Sequence, residues 1–264
     1  MPLLDKLREQ YGVGPLCSEL HIAPSTYYHC QQQRHHPDKR SARAQRDDWL
    51  KKEIQRVYDE NHKVYGVRKV WRQLLREGIR VARCTVARLM AVMGLAGVLR
   101  GKKVRTTISR KAVVAGDRVN RQFVAERPDQ LWVADFTYVS TWRGFVYVAF
   151  IIDVFAGYIV GWRVSSSMET TFVLDALEQA LWARRPSGTV HHSDKGSQYV
   201  SLAYTQRLKE AGLLASTGST GDSYDNAMAE SINGLYKAEV IHRKSWKNRA
   251  EVELATLTWV DWYN

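Results

Sequence analysis

The 264-residue sequence predicts an α/β protein: a mixed sheet opening with a three-strand meander and continuing as alternating helices and strands, preceded by small all-helical modules. Three observations carry this. The apolar spacing changes near residue 123 from a helical period to strand-like runs. LWVADFTYVST, FVYVAFIIDV and YIVGWRVS are β-branched and aromatic, and only the short turns around WRG and FAG divide them, as in an antiparallel meander. The later strand-like segments TVHHSD and LLASTG are separated by amphipathic helices long enough for crossover connections.

The first elements are helical. LLDKLREQY, PLCSEL and HIAPSTYYHCQQQ read as short helices around a turn over residues 1–33, a pattern that resembles a helix-turn-helix. Ser25 after Pro24 is expected as the N-cap, placing Thr26, Tyr27 and Tyr28 at the start of a recognition helix. Residues 34–45 are polar and basic without apolar period and read as a linker. Residues 46–99 form a second helical module, read as DNA-binding. Leu50, Ile54, Val57 and Tyr58 recur at helical spacing, followed by Val70, Leu74 and Leu75 before a stop at Gly78, then Val86, Leu89, Met90 and Met93 before a stop at Gly94. Arg68, Lys69, Arg72, Arg83 and Arg88 lie between these stripes, suited to a DNA-facing or an ordinary solvated surface. Residues 100–122 read as a basic linker; within LRGKKVRTTISRK, Arg100, Lys102, Lys103 and Arg105 meet no acid and suit an arm tracking a phosphate backbone.

From residue 123 to 264 the three strands are followed by helix ETTFVLDALEQALWARR, strand TVHHSD, helix LAYTQRLKEAG, strand LLASTG and helix AMAESINGLYKAEVI. This order, βββ then α, β, α, β, α, resembles the ribonuclease H-like fold.

Composition narrows the partner. The net charge is +12, and residues 1–120 hold 25 Lys/Arg against 11 Asp/Glu, while the remainder holds 14 against 16. All the excess is therefore in the first half, which favours a polyanion held there. No run approaches the roughly 20 apolar residues that span a bilayer, and MPLLDKLREQ lacks the layout of a secretory signal, so a cytoplasmic, nucleoid-associated setting without membrane contact is expected. Cys17, Cys30 and Cys84 form no CxxC pair and are expected as buried thiols.

Three carboxylates stand out. Asp135 interrupts the apolar run of the first strand, where an unpaired charge is costly. Asp194 follows the short strand TVHH and precedes a glycine turn, and Glu230 lies in the first turns of a helix that opens after Asp225 and Asn226. On that helix Glu230, Asn233 and Lys237 share one face, with Met228, Ile232 and Leu235 nearly opposite. Three acids without cysteine suit hard divalent cations. Two magnesium ions, for which manganese can substitute, can activate an attacking water or 3′-hydroxyl and stabilise the leaving oxygen of a phosphodiester. Lys237 then faces phosphate. Asp153, in FIIDVFAG, reads as a turn or supporting residue. His191 and His192 suggest zinc, but no second His or Cys pair stands at ligand spacing.

WVADFTYV, FIIDVFAGYIVGW, HHSDKGSQYVS, SYDNAMAESINGLYKAEVI, YGVRKVWRQLLREG and VMGLAG together resemble the DDE transposases of the bacterial "IS three" insertion-sequence group, second reading frame product, whose catalytic core is similar to retroviral integrases. The resemblance covers nearly the whole chain. It implies that Asp135, Asp194 and Glu230 are the catalytic, metal-holding triad and that Lys237 is the family's basic residue. It further implies magnesium-dependent cleavage at element ends, attack of the freed 3′-hydroxyl on another strand, and the upstream-frame product as a fusion or partner. Two ends must be held together, so a homo-multimer on DNA is expected. The loop TGSTGDSYDNA departs from the family pattern, and the chain stops at WVDWYN where relatives usually continue through an Arg and a His, which predicts a shortened final helix and lowered activity. The alternatives are a nuclease without joining activity and an end-binding repressor.

Overall fold

The computed structural model describes residues 2–36, 39–99, 116–119, 122–218 and 226–264 and divides into two compact units, Met1–Val98 and Leu99–Asn264. In the first unit, α1 (Pro2–Tyr11), α2 (Val13–Glu19) and α3 (Pro24–His35) enclose a small core of Leu4, Cys17 and Tyr27. Two expectations change here. Ala23, in extended conformation, caps α3, and Pro24 occupies its first turn, where a missing N–H costs nothing. Tyr27 does not face outward: it is buried, and its hydroxyl donates to Asp5 Oδ1 at 3.1 Å. The segment read as a linker from residue 34 is also partly helical, because α3 continues to His35 and α4 (Ala42–Glu60) begins at Ala42.

Ser41 caps α4, its Oγ accepting from the Ala44 N–H at 3.3 Å. With α5 (Val67–Arg76) and α6 (Arg83–Val92), α4 buries Leu50, Ile54, Val57, Val70, Leu74, Val86, Leu89 and Met90 in one core. Gly78 and Gly94, with φ of 82° and 68°, follow α5 and α6 as the expected stops, since a left-handed residue ends a helix at least cost when it is glycine. Of the cysteines, Cys17 is buried, Cys30 is half-buried and Cys84 is exposed. Cys84 sits on the turn of α6 away from Val86, Leu89 and Met90, which corrects the expectation of three buried thiols.

The second unit is built on a five-stranded sheet of order β3-β2-β1-β4-β5, comprising β1 (Leu131–Thr141), β2 (Gly144–Asp153), β3 (Tyr158–Ser165), β4 (Val190–Ser193) and β5 (Leu214–Thr217). β1, β2 and β3 form the antiparallel meander, while β4 and β5 run parallel to β1. Alternation along β1 sends Trp132 and Ala134 to a core shared with α7 (Thr170–Arg184) and α8 (Leu202–Glu210). Leu131, Val133 and Val139 go to the opposite core, with α9 (Ala227–Glu239) and α10 (Arg249–Tyr263). Gly161 lets α7 lie directly on β3, because a Cβ there would stand 2.2 Å from the Ala176 carbonyl oxygen. The side chain of Asn264 accepts from the Ile159 N–H at 2.9 Å and donates to its carbonyl at 3.0 Å, fixing the end of α10 to β3.

Candidate active site

The parallel pairing of β1 with β4 runs from Leu131/Val190 to Ala134/Ser193. The next residues along the two strands are Asp135 and Asp194. There the strands part: β4 turns away, with the Gly196 N–H returning to Asp194 Oδ1 at 2.9 Å, while β1 continues against β2. Asp135 shares the parity of Val133 and so belongs to the face covered by α9. Asn226, just before α9, donates its Nδ2 to the Ala134 carbonyl at 2.8 Å and ties the helix start to the residue preceding Asp135. Glu230 follows in the first turn. One turn later Asn233 donates its Nδ2 to Asp135 Oδ2 at 2.9 Å, while the Phe136 N–H takes Oδ1 at 2.8 Å.

The three carboxylates, all half-buried, act on one another electrostatically. Burial, then the charge of Asp194 and more weakly that of Glu230, push the Asp135 carboxyl up to about 8 against the hydrogen bonds from Phe136 and Asn233. Burial also raises Asp194, with Glu230 adding to it and the Gly196 N–H and His192 opposing. Among the described residues no three His, Cys, Asp or Glu side chains close into a ready-made metal cage. The donor set is nonetheless hard oxygen throughout, and a cation among mutually repelling acids offsets the charge that raises Asp135. The buried Oδ1 atoms of Asn226 and Asn233 have no hydrogen-bond partner among the described residues, which leaves two further acceptors beside the acids.

Lys237 shares the α9 face of Glu230 and Asn233. Its Nζ lies 4.8 Å from the centroid of the Tyr138 ring, and burial lowers its pKa against the charge of Asp135. Tyr199, five residues after Asp194, closes the turn that follows it: its N–H bonds the Gly196 carbonyl at 3.0 Å, and its ring is buried. The Tyr199 hydroxyl has no partner among the described residues; burial raises its pKa, with Tyr204 and then the charges of Asp135 and Asp194 adding to it.

The other sequence candidates fall elsewhere. Asp153 pairs with Trp132 in the sheet register, and its two oxygens accept from the N–H groups of Asp129 at 3.1 Å and Phe155 at 3.2 Å, so it holds the turn after β2. His191 is buried with Nε2 3.0 Å from the Tyr204 hydroxyl, and His192 lies 2.9 Å from Ser216 Oγ, so both serve the core. Arg88 pairs with Asp47 at 2.8 Å, while Lys69 and Arg72 lie over the rings of Tyr65 and Trp71. Arg100, Lys102, Lys103 and Arg105, with most of the loop TGSTGDSYDNA, lie outside the described residues. Sequence reasoning gave no role to Tyr138, Tyr199 or the amide of Asn233; the helical period had placed only Asn233 beside Glu230.

Residues 125–223 and 211–264 match the Integrase core domain, and residues 45–103 match the HTH-like domain. Over its full 264 residues the chain is 99% identical to the transposase for insertion sequence element IS629 of Shigella sonnei and covers 89% of that protein. The chain belongs to the insertion-sequence transposases. This transposase is also 54% identical over 251 residues to a putative transposase for IS986/IS6110 of Mycobacterium tuberculosis, covering 92% of the chain and 88% of the relative. Among solved structures it is similar to the HTLV-2 integrase catalytic core domain in complex with magnesium, at 17% identity and a TM-score of 0.37 over 43% of this chain and 70% of that one. The transposase is thus a polynucleotidyl transferase-type enzyme of DNA transposition. Its HTH-like match falls on α4, α5 and α6, whereas sequence reasoning gave the helix-turn-helix likeness to the first 33 residues.

Proposed function

We propose that the transposase cuts DNA at the ends of its insertion sequence and joins the freed 3′-hydroxyl to a target strand, with Asp135, Asp194 and Glu230 as catalytic carboxylates holding two magnesium ions. The observation that supports this most directly is the meeting of Asp135 and Asp194 where β1 and β4 part, with Glu230 close enough to act on both. When bound, the ions supply Lewis acidity at the attacking and leaving oxygens, and manganese can replace magnesium.

The protein's own residues do the placing. Asn233 and the Phe136 N–H hold both oxygens of Asp135, and the Gly196 N–H holds one of Asp194, which fixes the carboxylates before substrate arrives. Lys237 brings a positive charge to the same face for a phosphate of the bound strand. In the first unit, the start of α4 and the connection from α5 to α6 frame a hollow lined by Arg43, Arg46 and Arg80 beside the Arg88–Asp47 pair, a net positive lining that suits a phosphate backbone and supports residues 46–99 as the DNA-binding module. Arg100, Lys102, Lys103 and Arg105, which follow in the sequence, add positive charge for the same phosphate backbone. In this reading the transposase works as a homo-multimer holding two ends, alone or with the upstream-frame product, in the cytoplasm on the nucleoid. Among the described residues no helix is long and apolar enough to cross a membrane.

The test is a strand-transfer assay with magnesium on the element's own end DNA, intact and precleaved. The unmodified chain is expected to cut and join, and Asp135→Asn, Asp194→Asn and Glu230→Gln each to abolish both steps while end binding persists. Cleavage without joining would favour a plain nuclease, binding without cleavage a repressor, and undiminished cleavage by the three variants would remove these carboxylates from the site.

A further inference from the structure

We propose that Tyr138 and Phe145 form a stacking platform for one unpaired base of the DNA end, in a nucleotide within about three of the bond that is cut; the distance to that bond rests on the carboxylate reading above. Tyr138 lies three residues past Asp135 on β1, about 10 Å along an extended strand and on the other face of the sheet, so the path between them rounds the edge of β1 where Lys237 from α9 reaches the Tyr138 ring; about three nucleotide steps of roughly 3.4 Å rise can span it. Tyr138 stands opposite Tyr147 in the sheet register, which makes Phe145 its diagonal neighbour on the same face. The two rings are 5.5 Å apart and mutually perpendicular, and they remain 42% and 56% exposed.

Single exposed aromatics are ordinary, and Trp182 on α7 is one. The Tyr138 pair differs in three respects. Tyr138 lies on the stretch of β1 beyond the pairing with β4, which ends at Ala134 and Ser193, so β4 does not flank the ring. It carries a cation, because the Lys237 ammonium rests over the Tyr138 ring. That ammonium also feels the charge of Asp135, which joins the platform to the carboxylates in one electrostatic neighbourhood. An aromatic pair with a cation over one ring and a phosphodiester site around the strand edge is chemically complementary to a nucleotide: base on the ring surface that Lys237 leaves exposed, phosphate on the ammonium. A base inside a duplex has both faces covered by its neighbours, so only an unstacked one can use the platform. Stacking of this kind is worth roughly 5- to 150-fold in affinity.

The experiment is a cycle between protein and base, run on the full chain. End DNA carries an abasic nucleotide walked across three positions on either side of the scissile bond. The unmodified protein, Tyr138→Leu, Phe145→Leu and Tyr138→Trp are compared for affinity without metal and for cleavage rate with magnesium. At one position the abasic nucleotide is expected to cost the unmodified protein about tenfold in affinity. Tyr138→Leu is expected to cost about the same on intact DNA, the two together no more than either alone, and Tyr138→Trp is expected to retain the affinity. Losses that multiply at every position, or an abasic nucleotide that costs nothing anywhere, would overturn the platform. A change of oligomeric state in Tyr138→Leu with an unaltered abasic response would make the surface a contact between copies and overturn it equally. A coupled loss of affinity in a protein that never cuts DNA would keep the platform and remove the carboxylate reading instead.

Discussion

Replacing Asp135 by Asn is expected to stabilise the metal-free protein while abolishing its chemistry. In the fold the Asp135 carboxyl is raised to about 8 from an ordinary value of 3.8. The folded protein therefore holds a proton there that the unfolded chain releases, and between those two values its stability falls as pH rises. The slope of a fully linked group is about 1.4 kcal/mol per pH unit, or ~4 kcal/mol from pH 4 to pH 7. A half-buried carboxyl keeps part of its hydration, which reduces the expected penalty at pH 7 to ~2 kcal/mol. Asn cannot ionise and keeps the size of the side chain, so Asp135→Asn removes the penalty. The measurement is denaturant unfolding in the presence of a chelator from pH 5 to pH 7.5, followed by tryptophan fluorescence. Apart from Trp49 and Trp71 every tryptophan lies in the second unit, so the signal is dominated by the unit that contains the site. The difference between variant and unmodified protein should widen with pH, and added magnesium should stabilise the unmodified protein more than the variant. A variant equally stable at pH 7.5, or one with an unchanged pH slope, would refute the claim that the acids crowd one another.

Three further outcomes are expected. Tyr199→Phe removes a buried hydroxyl that has no partner among the described residues, so metal-free stability should rise by ~1 kcal/mol; a fall of that size in calorimetry would show that the hydroxyl is bonded. Gly161→Ala places a methyl 2.2 Å from the Ala176 carbonyl oxygen and 3.0 Å from the Ala180 Cβ, forcing α7 off β3 at a cost of ~2–3 kcal/mol; unchanged urea unfolding would mean that the helix does not lie that close. Asn233→Asp replaces the donor to Asp135 Oδ2 by a further carboxyl in a crowded acidic site, so stability without metal should fall by ~2 kcal/mol at pH 7.5, where the unfolded chain ionises the added acid, and recover towards pH 5; a pH-independent loss would point to packing instead.

Much of the second unit was legible because its elements obey simple periods. The three long strand runs, the glycine and turn residues between them, and the amphipathic helices each predict their own conformation, and the observed β1, β2 and β3 fall on those runs. Asp135 and Glu230 were conspicuous for a similar reason, one as a charge in an apolar run and the other as the start of a polar helix face. What sequence could not supply was partnership between distant residues. Tyr27 looks like any helix-surface tyrosine until Asp5, 22 residues earlier, is seen to accept its hydroxyl. Asn226 reads only as a helix opener, yet its side chain bonds a carbonyl 92 residues away. Cys84 was misjudged because burial of a small thiol depends on which face of α6 meets α4 and α5, and a short helix leaves that choice to packing.

The placement of the carboxylates depends on register more than on local propensity. β1 and β4 pair over only four residues, and a slip of one along β1 would carry Asp135 into the core that holds Trp132 and Ala134 while turning Phe136 towards α9. The alternation of Leu131 and Val133 against Trp132 and Ala134 opposes that slip, because each pair fills a different core. Asn226 opposes it again by bonding the Ala134 carbonyl, and Asn233 a third time by bonding Asp135 itself. The two asparagines lie seven residues apart, two turns of one helical face, so α9 meets β1 at two consecutive residues and has little freedom to slide along it. Glu230 sits midway between those two ties. Its position relative to the aspartates is therefore set by the same contacts that set the register, and a helix that carried the acid without the flanking asparagines would leave the third carboxylate free to drift.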